Sequence, residues 1–373
     1  MLRAIGLKLV RLVPVLIIVS LATSLLIELV PGDPILAIIG MEGDASDYER
    51  IERELGLDQN VFSRYVDWLG NIVQGDFGEQ ITRPGVKVAD RLRQTFPVTM
   101  QIALMGMVLA LLISVPVGAW AAYRAGTRFD RLSSGVAFGI ISIPSFLAGL
   151  LLVFMFVFHS AIPRYGALGL GLAWSLWLLW SAGRARRDGA KQALIRVAAA
   201  VVVAGLTVWL TNRWPSFPRQ GFVRWTSDDG RLENLRSAFL PAITVALTEI
   251  AVFMRLLRGD MQATLQEDYI LSARAKGMPP VRILARDALR PSSFSLITLA
   301  GVAFGRLIGG TVIVEAIFRL PGMGDLIVND GVNTGDFPVV QSGVLILATF
   351  YVVLNGAIDI SYSYLDPRLR RAR

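Results

Sequence analysis

The chain has 373 residues, of which 54% are hydrophobic and 18% charged, and its formal net charge at pH 7 is +8. Soluble domains carry about 25% charged residues, and here charge is missing from long runs such as 98–123 and 132–163. Because uninterrupted apolar runs above about 18 residues are typical of bilayer spans, the composition excludes a soluble enzyme, a disordered chain and a secreted disulfide scaffold.

Eight apolar runs predict transmembrane helices, since none shows the alternation of a lipid-facing β-strand. In chain order they are 12–30, 98–122, 132–158, 165–183, 197–212, 238–256, 293–314 and 339–362. The first follows three basic residues, as a secretory signal would, but it continues to Val30 without a small-residue cleavage site, which favours an uncleaved span. The pair 165–183 and 197–212 is weaker, because the second run has only 16 uncharged residues where a span needs about 20.

Basic residues predict the side on which each loop lies, because short cytoplasmic loops are enriched in Lys and Arg. The loops 123–131 and 183–196 and the tail 363–373 are basic, whereas the segment 31–97 has 12 acids and seven bases. Both termini are therefore predicted to be cytoplasmic, although the outer segment 213–237 disagrees with five Arg and three acids. The five bases of 183–196 favour a hairpin that crosses the membrane over one that lies on the outer face.

The predicted fold is thus an all-α polytopic membrane protein in five regions. These are a first span (1–30), an extracytoplasmic loop region (31–97), core spans (98–161), an insertion with an extra helical hairpin (162–236), and further core spans (237–373) that contain a basic inner loop (257–292).

The inner loop 257–292 carries the most informative pattern. Gly277 stands where a helix C-terminus needs a left-handed residue, and Pro280 can open a second helix because no N–H is needed there. Helical spacing puts Val281, Leu284, Ala285 and Ala288 on one apolar face and Arg282, Arg286 and Arg290 on a basic stripe. The pattern predicts a cytoplasmic helix–turn–helix, which composition alone does not distinguish from a helix pair lying on anionic lipid headgroups.

This loop resembles the EAA loop of permease subunits of ATP-binding cassette (ABC) importers, in the dipeptide, oligopeptide and nickel branch. The matching residues are Asp268-Tyr269, Ala273-Arg274-Ala275-Lys276-Gly277 and Ala288-Leu289-Arg290. Other motifs of that branch occur in order: Pro31-Gly32-Asp33-Pro34, Leu55-Gly56-Leu57-Asp58, Gly75-Asp76-Phe77-Gly78, Glu315-Ala316-Ile317-Phe318, Leu320-Pro321-Gly322-Met323-Gly324, Asp336-Phe337-Pro338-Val339-Val340 and Leu365-Asp366-Pro367-Arg368. Three features depart from it: Asp287 and Pro291 stand where His and Asn are usual, and 162–236 has no counterpart of that length in a six-span permease.

The resemblance implies a type I ABC importer transmembrane domain with six core spans plus the two-helix insertion, in the bacterial inner membrane. Its implied partners are a second homologous permease, two ATP-binding subunits and an extracytoplasmic solute-binding protein. The EAA-like loop would couple to the ATPases through Asp268, Tyr269, Ala273, Arg274, Ala275, Lys276, Gly277, Arg282, Arg286 and Arg290.

The residues of the chain agree with an ATP-binding site on other subunits. A P-loop needs Lys directly after Gly, and the sequence contains no Gly-Lys dipeptide, so ATP and Mg²⁺ are expected on partner subunits. Without cysteine and with one histidine, neither a metal site nor a catalytic site is predicted. The expected function is peptide import; the alternatives are import of nickel chelates or glycosides by the same architecture, or a standalone carrier or scaffold.

Glycines and charged residues in the spans suggest further roles. Gly301, Gly305 and Gly309 recur every four residues, which suits close helix packing either inside this subunit or at the seam with a partner permease. Among ionisable groups, Glu28, Glu315 and Asp359 lie near run ends and are predicted to be interfacial. Arg306 lies deeper and is predicted to pair with an acid or face the pathway, so Arg306 and Glu315 are the candidate pathway residues.

Overall fold

The structure is a computed structural model that describes residues 2–25, 35, 44–55, 57, 59–185, 190–218, 220–225, 227 and 230–365. The helices are α1 (Leu2–Leu25), α2 (Ala45–Leu55), α3 (Val61–Val73), α4 (Val88–Tyr123), α5 (Arg128–Ser142), α6 (Ser145–Val153), α7 (Ala161–Ala185), α8 (Ala190–Asn212), α9 (Gly230–Thr264), α10 (Asp268–Ala275), α11 (Pro280–Phe318), α12 (Met323–Asp325) and α13 (Phe337–Leu365). Within the described residues, π-helical segments occur at Phe154–Phe158 after α6, Ile283–Ala288 within α11 and Leu326–Val332 after α12.

Helices fall at every predicted span, which confirms the all-α polytopic fold class. In the described part of the chain, α4, α7, α8, α9, α11 and α13 are long and apolar enough to cross a membrane, and a seventh span is present if α5 and α6 form one broken crossing. The apolar part of α1, Val13–Leu25, is shorter, and the rest of the predicted run 12–30 lies outside the described residues.

The predicted span 132–158 differs from the structure, because the helix is interrupted after Ser142. Ile143 is extended, with φ −91° and ψ 121°, since the ring of Pro144 disfavours the helical conformation of the residue before it. Pro144 also has no N–H to continue the helical hydrogen bonds. One apolar run therefore forms two helices.

The chain divides into two compact units, one containing Met1–Phe146 and Pro241–Arg373 and the other Leu147–Leu240. In the first unit, α4 packs closely on α9, because Gly106 and Gly118 carry no side chain at the contact. A Cβ on Gly106 would lie 2.8 Å from Cγ2 of Val245, and one on Gly118 would lie 3.0 Å from the carbonyl oxygen of Met254. Small residues permit this approach between spans.

Polar contacts mark the two ends of the first unit. At one end, termed here the loop-rich end, the segment before α4 meets the segment before α13, where Thr82 bonds Asp336. At the other, termed the basic end, the start of α5 meets α9 and the loop 265–292 folds back on the end of α9.

The second unit contains the predicted insertion 162–236, and α7 and α8 pack there as a helical hairpin. Gly171 lets the helices approach, since a Cβ there would lie 2.3 Å from Oγ1 of Thr207, and Arg196 Nη1 donates to the carbonyl oxygen of Ser181 at 2.9 Å. The second run is longer than predicted: α8 has 23 residues, because the helix continues past Arg196 to Ala190. The connection 186–189 lies outside the described residues, and the side on which it lies stays a prediction.

Candidate functional site

The turn after α10 has the conformation that the sequence predicts. Gly277 has φ +72°, a left-handed value that favours glycine. Its N–H donates to the carbonyl of Arg274 at 2.9 Å, and the N–H of Met278 donates to the carbonyl of Ala273 at 3.2 Å. These two bonds form a Schellman motif, which ends α10, and Pro280 then opens α11.

The first turns of α11 differ from the predicted amphipathic helix. Val281 is 71% exposed and Ala285 is also exposed, whereas Ile283 is buried beside Leu284 and Ala288. The π-helical segment Ile283–Ala288 explains the difference, because its i→i+5 hydrogen bonding fits more residues into each turn than the α-helical period that the prediction used. The predicted apolar face is therefore corrected to Ile283, Leu284 and Ala288.

Buried side chains and a hydrogen bond connect the two helices of the helix–turn–helix. Ile270 and Ala273 are the buried residues of α10. The hydroxyl of Tyr269 donates to the carbonyl of Asp287 at 3.3 Å, and partial burial together with the charges of Glu267 and Asp287 raises the pKa of this phenol above its ordinary value. Two helices of the loop are thus fixed relative to each other.

The remaining residues of the EAA-like loop point away from the subunit. Those exposed are Asp268, Tyr269, Arg274, Ala275, Lys276, Gly277, Arg282, Arg286 and Arg290, while Ala273 is buried. They form a contiguous stretch of chain from α10 through the turn to the start of α11. Nine of the ten predicted coupling residues are therefore exposed, and together these nine are termed here the coupling surface.

A buried ion pair supports the same end of the molecule, and the sequence reasoning did not find it. Arg258 on α9 donates through Nε and Nη2 to the two carboxylate oxygens of Asp130, with the Nη2 contact at 2.9 Å. The N–H of Gly126 donates to the same carboxylate at 2.8 Å. Asp130 is 3% exposed. It is the only acid in the basic loop 123–131, and that isolated acid was the signal available in the sequence.

Arg306 was predicted to pair with an acid or to face the pathway, and in the structure it pairs with an acid. Its Nη2 lies 3.0 and 3.3 Å from the two carboxylate oxygens of Glu249 on α9. The carboxylate side chain is 5% exposed, whereas the Arg306 side chain is 61% exposed. The pair thus joins α11 to α9 while leaving most of the guanidinium accessible.

Glu315, predicted to be interfacial and a candidate pathway residue, lies inside the protein. It is fully buried and accepts hydrogen bonds from the hydroxyl of Thr99 at 2.6 Å and from the N–H of Gly324 at 2.7 Å. The chain after α11 turns back over the end of that helix, so the carboxylate is covered by α12. Asp359 and Glu28 lie among the residues whose side chains the structure does not describe.

The three spaced glycines separate into two groups. A Cβ on Gly301 would lie 2.9 Å from side-chain atoms of Ile358, and one on Gly305 would lie 2.6 Å from the ring of Tyr351, both on α13. No described atom lies within 4 Å of a Cβ built on Gly309. Gly301 and Gly305 therefore serve packing inside this subunit, whereas Gly309 lies on the exposed side of α11.

Comparison with known proteins shows the family to which the chain is similar along its length. Residues 114–371 match the family described as binding-protein-dependent transport system inner membrane component, and residues 1–103 match the N-terminal part of the membrane component of such systems. The chain is 32% identical over 375 residues to the di/tripeptide transport system permease protein DppB of Pseudomonas aeruginosa (strain UCBPP-PA14), with 100% of both chains covered.

Two further relatives are similar over nearly their whole lengths. A putative peptide transport system permease protein of Brucella abortus (strain 2308) is 32% identical over 360 residues, with 96% of each chain covered. The dipeptide transport system permease protein DppB of Escherichia coli (strain K12) is 28% identical over 367 residues, with 97% of this chain and 96% of the relative covered. The chain therefore belongs to the binding-protein-dependent transport system inner membrane component family and is a multi-pass permease subunit of an ABC importer.

Proposed function

We propose that this chain forms one half of a translocation pathway for peptides and that the coupling surface docks on ATP-binding subunits. The exposed residues of that surface, held on a Schellman turn with a buried apolar underside, are the observation that carries the proposal. The peptide assignment is supported by the relatives, which are named as dipeptide, di/tripeptide and peptide permeases. ATP and Mg²⁺ belong on the partner subunits, and this chain is a transport subunit without a cofactor of its own.

The distribution of charge supports a cytoplasmic position for the basic end. Arg274, Lys276, Arg282, Arg286 and Arg290 are all exposed there, and short loops rich in Lys and Arg favour the cytoplasmic side. With this orientation the loop-rich end faces the solute-binding protein, and both termini are cytoplasmic. Two such permeases and two ATP-binding subunits would complete the importer.

Arg306 is the described residue best suited to line the pathway. Burying a charge against lipid is costly, and the side chain is 61% exposed in the middle of α11. An aqueous pathway would hydrate the exposed part of the guanidinium, while Glu249 fixes its position. We therefore assign Arg306 to the pathway wall and Glu249 to the protein interior behind it.

Reconstituted transport tests the proposal. The chain would be co-expressed with its partner subunits, reconstituted into proteoliposomes with ATP inside, and supplied with the solute-binding protein and a radiolabelled tripeptide outside. We expect ATP-dependent tripeptide accumulation and co-purification of an ATPase with this chain, and a non-hydrolysable ATP analogue provides the matched control. Accumulation of a nickel chelate or a glycoside in place of the peptide would overturn the peptide assignment. Transport by the chain without any ATPase would instead identify a standalone carrier.

A further inference from the structure

A cavity of about 500 Å³ lies at the loop-rich end of the first unit. Its walls come from the end of α1, α2, α3, the segment 76–84 and the first residues of α13. This volume falls in the range of about 300–1,000 Å³ that is typical of small-molecule sites. The lining residues either precede α4 in the chain or lie at the start of α13. None of them belongs to the coupling surface, and Arg306 is not among them.

Two polar side chains in the cavity wall are buried without a hydrogen-bond partner among the described residues. Gln80 is 1% exposed, and neither the nitrogen nor the oxygen of its side-chain amide is bonded. The indole N–H of Trp68 is likewise buried and without a partner. Buried polar groups in folded proteins are almost always paired, so these two side chains offer three N–H donors and one acceptor oxygen to an occupant of the cavity.

Charges of both signs line the same cavity. Arg53 and Arg64 provide positive charge, and Asp67, Asp76 and Glu79 provide negative charge. A carboxylate is stabilised by arginine and by N–H donors, whereas an ammonium group is stabilised by carboxylates. The lining therefore suits a molecule that carries both charges.

The cavity also has apolar walls and an amide-recognising group between its charges. Phe77 and Phe337 line it and offer contact area for side chains. The amide of Gln80 can donate to a peptide carbonyl and accept from a peptide N–H, as one amide does with another. A short peptide combines these features: two terminal charges, an internal amide and side chains.

We propose that this cavity binds a short zwitterionic peptide at the extracytoplasmic end of the permease, through Gln80 and Trp68. The proposal rests on the proposed function in taking the solute to be a peptide, and it adds a recognition site on the permease itself. A protein loop is the less suitable occupant, because an internal segment of a protein lacks the two terminal charges that the lining would pair.

Direct binding of a peptide to the permease tests the proposal. The full-length chain with its co-expressed partner subunits, in lipid nanodiscs and without the solute-binding protein, would be titrated with trialanine by isothermal titration calorimetry. N-acetyl-trialanine amide, which lacks both terminal charges, is the matched control ligand. We expect trialanine to bind at least about tenfold more tightly than the blocked peptide, since the blocked peptide has no terminal charges to form charge-assisted hydrogen bonds with the wall.

Variants identify the site that binds. We expect Gln80→Leu and Trp68→Phe each to weaken trialanine binding by about tenfold, and Trp68→Phe removes one N–H with little change in shape. Gln74→Leu is the matched control, because Gln74 lies in the same outer segment, is exposed, and bonds only within its own helix end. The proposal would be overturned if Gln80→Leu and Trp68→Phe bound trialanine as tightly as the control Gln74→Leu does. It would also be overturned if the parental complex bound the blocked peptide as tightly as trialanine.

Three further outcomes separate this proposal from the proposed function. Peptide uptake by the complete importer without any binding of trialanine to the nanodisc complex would overturn the cavity site and leave peptide import standing. Unchanged trialanine binding in Gln80→Leu, with a lower affinity of the complex for the solute-binding protein, would assign the cavity to that partner instead. Absence of peptide uptake by the parental importer would overturn the proposed function.

Discussion

The hydroxyl of Thr99 on α4 donates to Glu315 near the end of α11, with 2.6 Å between the two oxygens. The same hydroxyl accepts the N–H of Met323 at 2.8 Å, and the second carboxylate oxygen accepts the N–H of Gly324 at 2.7 Å. A buried carboxylate thus fixes the first turn of α12 against two spans. Gly322 is required beside it, because a Cβ there would lie 2.3 Å from the carboxyl carbon of Glu315.

Thr99→Val should destabilise the protein by about 1–3 kcal/mol, because it leaves a buried carboxylate oxygen and the N–H of Met323 without their partner. Thermal unfolding in detergent would measure the change. Thr298→Val is the matched control, since Thr298 is exposed and its hydroxyl bonds only the carbonyl of Phe294 in its own helix. Equal melting temperatures for the two variants would contradict the structural role of Thr99.

Asp336 should make stability depend on pH at the loop-rich end. Burial raises the pKa of this carboxyl above its ordinary value of 3.8, and the hydrogen bonds from Thr82 oppose that shift only in part. A raised folded-state pKa means that the folded protein binds the proton more tightly, so stability is greatest below the unfolded pKa and is lost as pH rises through the folded pKa.

The thermal stability of Asp336→Asn should therefore change less with pH than that of the parental protein at pH values above 3.8. The amide oxygen of Asn can still accept the N–H of Thr82, so the fold is retained. Melting temperatures recorded from pH 4 to pH 8 would check the slope, with the exposed Asp90→Asn as control. Identical slopes in Asp336→Asn and the parental protein would refute the prediction.

Gly277→Pro should uncouple transport from ATP hydrolysis. Proline fixes φ near −65°, whereas Gly277 requires +72°, and the substitution removes the N–H that donates to Arg274. We expect peptide uptake to fall roughly tenfold or more and ATPase activity to lose its stimulation by the solute-binding protein, while membrane insertion is retained. Gly277→Asn is the control, because Asn tolerates the left-handed region. Normal coupled transport in Gly277→Pro would remove the basis for assigning the coupling surface.

The sequence predicts those features of the fold that depend on local composition. The lengths of the apolar runs predicted the spans, and Gly277 with Pro279 and Pro280 predicted the turn. Both signals depend only on residues that are close together in the chain. The break at Pro144 had a local signal as well, in the restriction that proline places on Ile143. The extra length of α8 was not predicted, because the count of uncharged residues ended at Arg196. An arginine continues a helix about as readily as leucine does, so the helix extends beyond that residue to Ala190.

Tertiary contacts account for the features that the sequence did not predict. The burial of Glu315 depends on Gly324 returning to the end of α11, and the partner of Asp130 lies 128 positions away at Arg258. The π-helical turn moved Ile283 into the protein and Ala285 out of it, which a fixed period of 3.6 residues cannot anticipate. The position of Arg306 deep in an apolar run predicted that it could pair with an acid. The identity of that acid, Glu249, depends on the packing of α11 against α9.

Arg306→Ala should impair both stability and uptake more than Arg306→Lys does. Removing the guanidinium leaves the buried carboxylate of Glu249 unpaired, which costs on the order of 3–5 kcal/mol, whereas lysine retains a positive charge. Thermal unfolding and peptide uptake would be compared, and the double variant Arg306→Ala with Glu249→Gln should recover stability because the unpaired charge is gone. Recovery of stability without recovery of uptake would support a place in the pathway. Wild-type uptake and stability in both single variants would show that the pair has neither role.

Arg187→Cys should remain protected from an impermeant maleimide added to intact cells. The loop 183–196 has five bases and one acid between two apolar runs, and α7 and α8 are each long enough to span, so the hairpin is predicted to return the loop to the cytoplasm. The chain has no cysteine, so single substitutions report without background. Asp44→Cys should label as the outer control, and Arg371→Cys should be protected as the inner control. If Arg187→Cys labels like Asp44→Cys, α7 and α8 do not cross in this way, and the insertion lies on the outer face, where it would be available to the solute-binding protein.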